Sequence, residues 1–381
     1  MNKEDKEFIL ENLDKDISPL LFKYHQDSNK RFLINQIAKR QKIKNKLSSF
    51  YKNFDFIFPI NSKSIEQCSS EISAITKSKY FKGENFIDLS GGLGIDFNYI
   101  SKNFTNSIYN DLDEELFELA KQNYHHHNNS FYNEKAEVLL SKLNTYFDLI
   151  YIDPDRRDNS NKKLFKLEEL KPNILEILPK LKYKNLLIKL SPMFEINEFP
   201  HFFRKYNVWI ISINGEVKEL LLHLSDEITE NKIKIISINN NNVAEYNYDN
   251  IQAKSPISNE EFNYLFEPDP AIIKAHLQDT IAIDNKLFKI NHNTQYLFSN
   301  DIIPNLPGDY YKISQKLNYN TSDFKTYRID SGIIKIRNFD DTLPKIKTKL
   351  GISENNKQYL FFTKDYNNKN VCFICEKLKI H

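Results

Sequence analysis

Apolar positions along the 381-residue chain change their spacing at several points, and each change marks a different kind of structure. Between residues 5 and 53 they recur at threes and fours. Ile9, Leu13 and Ile17 form one series, Leu33, Ile34 and Ile37 a second, and Ile43, Leu47 and Phe50 a third. That is the spacing of amphipathic helices. It predicts two to four helices, the first ending near Ile17 because the residue before Pro19 is pushed out of helical geometry. From about residue 85 the pattern becomes short β-rich runs separated by helical stretches. Strands are expected at 85–90, 107–112, 131–133, 148–152 and 185–190, with helices to about 102 and over 114–125, 167–181 and 197–205. Residues 208–213 and 217–224 then read as two strands joined by an Asn214-Gly215 turn, a hairpin signal. Alternating strands and helices predict a mainly parallel sheet covered by helices. Beyond it the pattern loosens. A strand is expected at 232–238 and an Asn-rich loop at 239–242, and Glu267-Pro268-Asp269-Pro270 opens a helix with proline at an early position. The end of the chain reads as strand 332–337, helix 343–350 and strands 358–363 and 371–378, a small α+β domain.

Composition narrows the class without naming a function. A hydrophobic share of 40% and a charged share of 27% describe an ordinary globular protein with room for two or three domains. No run approaches the ~20 apolar residues of a membrane helix. The charged start Met1-Asn2-Lys3-Glu4-Asp5-Lys6 leads into no apolar core, and three cysteines cannot make a disulfide framework. A cytoplasmic protein with no membrane partner is therefore expected. The net charge of +2 divides into +4 over residues 1–60, −7 over 61–320 and +5 over 321–381. Basic ends permit nucleic-acid binding, though solvated helical faces explain them as well. Lys39, Arg40, Lys42, Lys44 and Lys46 fall at positions that spread around a helix, which favours solvation over a phosphate track.

The chemistry concentrates where expected strands end. Asp88-Leu89-Ser90-Gly91-Gly92-Leu93-Gly94-Ile95-Asp96 closes the first strand and opens a helix. Glycines there let the backbone turn sharply and approach a ligand. Asp111 closes the second strand 23 residues after Asp88 and can accept hydrogen bonds from both hydroxyls of a ribose, with Asp113 a weaker candidate. Five strand-helix units closed by an antiparallel hairpin are the layout of class I S-adenosylmethionine (SAM)-dependent methyltransferases. A dinucleotide-binding dehydrogenase domain does not normally end in that hairpin, so SAM is expected rather than NAD. Asp153-Pro154-Asp155-Arg156-Arg157 follows the fourth strand, at the sheet edge where ligands bind. It is similar to the Asp/Asn-Pro-Pro-aromatic motif of amino-methylating enzymes, with Asp155 and Arg156 in place of the second proline and the aromatic ring. An arginine can stack on a base or grip a phosphate. Lys189 ends the fifth strand and either snorkels to solvent, faces the acceptor or pairs with Asp153. Gln67 and Ser69, ahead of the first strand, can bond the cofactor, or Ser69-Ser70 can cap a helix. Cys68 reads as a small buried residue. Cys372 and Cys375 sit in an expected strand without a second ligand pair, and His125-His126-His127 complements a helix end. No metal is expected.

Taken together, Ser64-Ile65-Glu66-Gln67-Cys68-Ser69-Ser70-Glu71, the Asp88 run, Asp153-Pro154-Asp155-Arg156-Arg157-Asp158, Leu187-Ile188-Lys189-Leu190-Ser191-Pro192-Met193 and Gly215-Glu216-Val217-Lys218-Glu219 resemble the bacterial class I methyltransferases with a C-terminal THUMP-like domain. So do Glu267-Pro268-Asp269-Pro270-Ala271 and the tail from 333 to 377. The resemblance spans nearly the whole chain. Ser90 stands where the family usually has Thr, and Asp155 where Ala is common. The resemblance implies an α/β fold: a helical region at 1–60, a seven-stranded Rossmann-like SAM core at 61–228, a linker and small ferredoxin-like domain at 229–320, and a THUMP-like domain at 321–381. It also implies RNA as partner, since true THUMP domains bind RNA. The reading that follows is a methyltransferase (EC 2.1.1 class) acting on tRNA or rRNA at a nitrogen or ribose oxygen. Asp153, Pro154, Arg156 and Lys189 would be catalytic, and Asp155 and Arg157 would bind substrate. Asp88, Ser90, Gly91, Gly92, Gly94, Asp111 and Gln67 would hold SAM. A non-catalytic RNA-binding protein with a relict core, and a methyltransferase for a small molecule or protein, are the alternatives.

Overall fold

The structure is a computed structural model and describes residues 1–125, 128–155, 166–240, 242–249, 254–355 and 358–379. The chain divides into two compact units, Met1–Asn207 with Leu220–Glu230, and Val208–Glu219 with Asn231–His381.

The first unit is built on β1 (Gly83–Asp88), β2 (Phe104–Asn110), β3 (Asn129–Tyr132), β4 (Phe147–Ile152) and β5 (Tyr183–Leu190), all parallel, in the order β3-β2-β1-β4-β5. Leu149 to Ile152 and Leu186 to Ile188 are buried throughout. Strands covered on both faces need such continuous apolar runs. The hairpin of β6 (Asn207–Ile213) and β7 (Glu216–Leu224) follows, and residues Leu220 to Leu224 pair antiparallel with β5. Its turn residues Asn214 and Gly215 have φ of 49° and 80°, the positive pair that a two-residue turn of matching twist requires. The helix expected over 167–181 is instead three short pieces, Leu167–Glu169, Ile174–Ile177 and Leu178–Lys180. Pro172 and Pro179 remove the donors that a continuous helix would use.

The N-terminal helices are Lys3–Asn12, Ser18–Lys23, Ser28–Ile43 and Ser48–Tyr51. Pro19 begins the second rather than ending the first, which stops at Asn12; a first-turn proline sacrifices no helical hydrogen bond. Two members of the basic stretch are not solvated as expected. Arg40 is fully buried and donates to the carbonyls of Asn53 (2.9 Å) and Phe56 (2.7 Å), its guanidinium 5.0 Å from the Phe58 ring. Lys39 donates to the Ile60 carbonyl at 2.8 Å and to Ser62 Oγ. Residues 53–62 lie in turns and extended backbone, and these cations supply donors to the Phe56 and Ile60 carbonyls and a second donor to that of Asn53, which also accepts the Phe56 N–H at 3.2 Å.

In the second unit, β8 (Lys232–Asn239) lies parallel to β6, and β9 (Asn242–Asp249) antiparallel to β8. The sheet order among the described residues is thus β3-β2-β1-β4-β5-β7-β6-β8-β9. The first seven strands are the expected sheet, and two more extend it. Without β8, the buried run Val208 to Ile211 would stand at an open edge. A second sheet contains β10 (Tyr264–Pro268), β11 (Leu297–Ser299), β12 (Gly308–Asn318), β13 (Ile333–Ile336), β14 (Tyr359–Lys364) and β15 (Asn370–Lys377), in the order β11-β10-β12-β15-β14-β13. The boundary expected at 320/321 therefore falls inside one sheet, and no ferredoxin-like unit stands apart among the described residues. One core cluster joins Leu265, Phe298, Tyr311, Phe361 and Phe373 across the supposed border. Cys375 packs in that cluster and Cys372 in the cluster with Phe324 and Ile346, so alternation along β15 separates the two thiols. Among the described residues no helix is long and apolar enough to cross a membrane.

Candidate functional site

The carboxyl ends of β1, β2 and β4 open onto a cleft of ≈ 1020 Å³ in the first unit. Its floor is the turn after β1. Gly91 donates to the Asn110 carbonyl (2.8 Å), Gly94 to the Gly91 carbonyl (2.8 Å), and Gly92 to Asp111 Oδ2 (2.7 Å). Two tyrosines staple this turn from below. Tyr109 donates to the Gly92 carbonyl at 2.5 Å, and Tyr124 to the Leu93 carbonyl at 2.7 Å. A Cβ on Gly91 would lie 2.0 Å from the Tyr109 ring, and one on Gly94 2.2 Å from the Tyr124 ring. Glycine is therefore demanded at both by the protein's own aromatic packing.

Asp88 does not line the cleft. It is buried beneath the turn, where its Oδ1 accepts the Ser90 N–H at 3.1 Å. Burial pushes its carboxyl well above the usual range, against the pull of that hydrogen bond, and the Asp96 and Asp153 charges add to the rise. Asp111 does line the cleft. Its Oδ2 holds Gly92 and its Oδ1 accepts the Asp113 N–H at 2.9 Å. Its carboxyl is raised by burial, opposed by those two hydrogen bonds. Asp113 caps the helix Glu114–Asn123 by accepting from Leu116.

Ser90, Gly91, Gly92, Gly94, Gln67, Asp153, Pro154 and Asp155 all line the same cleft. The Asp153 N–H donates to Ser90 Oγ at 2.6 Å, which ties the end of β4 to the glycine turn. Asp155 exchanges backbone hydrogen bonds with Lys171 at 2.8 and 3.2 Å. Arg156 and Arg157 lie outside the described residues, as do His126 and His127. Lys189 is buried, and its Nζ sits 2.7 Å from Asp153 Oδ2 and 3.1 Å from Ser69 Oγ. Of the three readings of this lysine, the structure shows the pairing with Asp153. Ser69 leaves capping to Ser70, which accepts from Ser73 at the start of the helix Glu71–Ser78. Cys68 donates to the Ile65 carbonyl, and burial raises its thiol, which disfavours the nucleophilic thiolate.

Sequence reasoning missed what lies behind Asp153. Asp96, the last residue of the glycine run, receives Ser69 Oγ (2.6 Å) and the Tyr151 hydroxyl (2.8 Å) on Oδ2, and Lys77 Nζ (2.7 Å) on Oδ1. Burial works to raise the Asp96 carboxyl. The charges of Lys77 and Lys189 and the hydrogen bonds outweigh it and hold Asp96 below the usual range. The position of Asp96 in the run was a signal for it. Lys77 is fully buried in a helix ahead of β1 and had no local signal. Apart from Asp96, carboxylates outnumber lysines eight to three among the described lining residues, so the cleft favours positive ligands.

Parallel strands in the order 3-2-1-4-5, an antiparallel β7 beside β5 and a glycine turn at the carboxyl edge of β1 together define the architecture. The chain has a class I methyltransferase fold. A crystal structure from Porphyromonas gingivalis W83, described as that of a candidate methyltransferase, matches 99% of this chain and 98% of its own at a TM-score of 0.84 and 21% identity. Residues 308–377 match the family model described as THUMP domain-like. These residues run from β12 through β15, so the THUMP-like segment shares its sheet with β10 and β11. No curated protein sequence matches the chain. Two further likenesses are partial. TrmK from M. capricolum, in complex with S-adenosylhomocysteine (SAH), matches 42% of this chain and 70% of its own at 13% identity and a TM-score of 0.31. A structure from Listeria monocytogenes, described as that of a candidate class I SAM-dependent methyltransferase, matches 63% of this chain and 94% of its own at 13% identity and a TM-score of 0.37. Scores at that level carry no argument about this site.

Proposed function

We propose that the chain is a SAM-dependent methyltransferase whose acceptor is RNA, at a nitrogen or a ribose oxygen. The observation that carries the reading is the Asp153 carboxylate, held by Lys189 at the end of β4 and opening onto the cleft beside the glycine turn. The residues suit the cofactor. Each oxygen of Asp111 spends one acceptor site on a backbone N–H, which leaves sites for the two ribose hydroxyls. The acidic lining suits a ligand carrying a sulfonium and an ammonium group. SAM would supply an electrophilic methyl group. The chain's own part is to bind and orient: the glycine turn and Gln67 shape the cofactor side, and Asp153 accepts a hydrogen bond from the acceptor's N–H or O–H and fixes its lone pair. RNA is supported by the THUMP-like match at 308–377 and by the +5 charge of residues 321–381. Arg156 and Arg157 are proposed as phosphate grips on sequence alone.

Calorimetry with SAH tests the cofactor. Wild-type protein should bind it, and Asp111→Ala should weaken binding about 10- to 100-fold, equivalent to hydrogen bonds of about 1.5–3 kcal/mol to a charged group. Methyl transfer from labelled SAM to total RNA of a deletion strain should be lost in Asp153→Ala. No SAH binding by wild-type protein would overturn the reading. RNA binding without transfer would favour a relict core. The acidic lining supports a second reading, a cationic amine on a small molecule or protein as acceptor. Substrate affinity that ignores salt would select it, because phosphate contacts weaken steeply with salt.

A further inference from the structure

At the back of the cleft, three charged side chains meet on one serine hydroxyl. Ser69 is buried, and its Oγ lies 2.6 Å from Asp96 Oδ2, 3.0 Å from Lys77 Nζ and 3.1 Å from Lys189 Nζ. A hydroxyl has one proton and two lone pairs. Asp96 takes the proton and each lysine donates to one lone pair, so the oxygen is fully used. Lys189 continues the chain to Asp153 Oδ2 at 2.7 Å. Asp96 is itself anchored by Lys77 and by Tyr151, and Lys77 has no solvent exposure. The order is therefore Lys77, Asp96, Ser69, Lys189, Asp153; Ser69 and Asp96 form the buried back wall of the cleft, and Asp153 is the more exposed end.

We infer that Ser69, Lys77 and Asp96 are positioning residues that hold Lys189 against Asp153, so that the Asp153 carboxylate meets the methyl acceptor in one fixed orientation. The inference rests on the methyltransferase reading above and adds three residues to it. The physical need is clear. A lysine side chain gives up about 2 kcal/mol of rotamer freedom when fixed. An anchor on Asp153 moves with that carboxylate and cannot by itself steady it. Ser69 supplies an anchor of a different kind, because it is tied to the buried Lys77–Asp96 ion pair. Asp96 stays anionic through its lysine neighbours despite burial, so it keeps the Ser69 proton turned inward and both Ser69 lone pairs turned to the lysines. None of these three residues needs to touch the acceptor.

The test uses the full-length protein, tritiated SAM and total RNA from a deletion strain, with SAH calorimetry alongside. Ser69→Ala should lower kcat about 10- to 100-fold, as expected when a catalytic group is misplaced by about 1 Å. SAH affinity should stay within about twofold. Ser69→Cys, which fills the space with a poor hydrogen-bonding group, should show the same split and serves if the alanine variant does not fold. Ser69→Thr, which keeps the hydroxyl, should recover most of the rate. In an Asp153→Asn background the Ser69→Ala change should cost less than about threefold, because residues acting through one another are not additive. Full multiplication of the two losses, or a parallel loss of SAH affinity, would show a merely structural role and overturn the inference. A wild-type protein that binds SAH but transfers no methyl group overturns the methyltransferase reading, and the inference with it.

Discussion

Replacing Asp96 by Asn removes one negative charge from a site holding two buried lysines. Asp96 is 7% exposed and Lys77 not at all, with 2.7 Å between Lys77 Nζ and Asp96 Oδ1. The amide keeps an acceptor for Ser69 and Tyr151 but turns an NH₂ toward the Lys77 ammonium, so an ion pair becomes a donor facing a donor. Removing one partner of a buried pair costs about 3–5 kcal/mol, because the other charge remains desolvated. At about 2–4 °C per kcal/mol for a domain of 150–250 residues, the melting temperature should fall by about 6–20 °C. The dependence on pH has a definite sign. Burial alone would raise the Asp96 carboxyl, but the lysine charges hold it below its usual 3.8 in the folded state. A depressed acid contributes stability that is full above the unfolded value of about 3.9 and is lost as pH falls through the folded value. The wild-type advantage should therefore be constant from about pH 5 to 8 and shrink only below about pH 4. Scanning calorimetry of both proteins at three pH values in that range measures this. A deficit under about 1 kcal/mol at neutral pH, or a gap that closes between pH 5 and 7, would refute the buried-pair reasoning.

Gly91→Ala should destabilise the protein by about 1–3 kcal/mol and, on the proposed function, lower SAH affinity, because the added methyl meets the buried Tyr109 ring at 2.0 Å and that ring holds the glycine turn. Denaturant titration with SAH calorimetry checks it, and an unchanged midpoint would refute it. Arg40→Ala should leave the Phe56 carbonyl without its side-chain donor and the Asn53 carbonyl with the Phe56 N–H alone, at about 1–3 kcal/mol for the group left unsatisfied. Amide hydrogen exchange over residues 53–60 should then quicken, and unchanged protection there would count against Arg40 as the pin of that segment.

Much of the core was legible because its strands are buried on both faces, which forces continuous apolar runs such as Leu149 to Ile152. The Asn214-Gly215 turn was legible because few residue pairs adopt two positive φ angles. Asp111 and Asp153 were legible because each directly follows a strand at its carboxyl end. Lys189 was only half legible. Its place at the end of β5 is a local fact, but whether its ammonium faces solvent or a carboxylate depends on Ser69, 120 residues away. Lys39 and Arg40 were misread as solvated, since nothing in their helix announces the carbonyls of residues 53–60 that they serve. The supposed boundary at 320/321 failed because pairing of β12 with β15 links segments more than 50 residues apart.

The sequence by itself determined the alternation of strands and helices, the glycine turn after β1 and the acidic residues that close β2 and β4, all carried by local periodicity and backbone constraint. Only the tertiary structure decided that Asp153 stands in front of a buried chain of two lysines, a serine and an aspartate. Those residues come from separate elements, and their charges can share a dry interior only when folding brings them within hydrogen-bonding distance of one another.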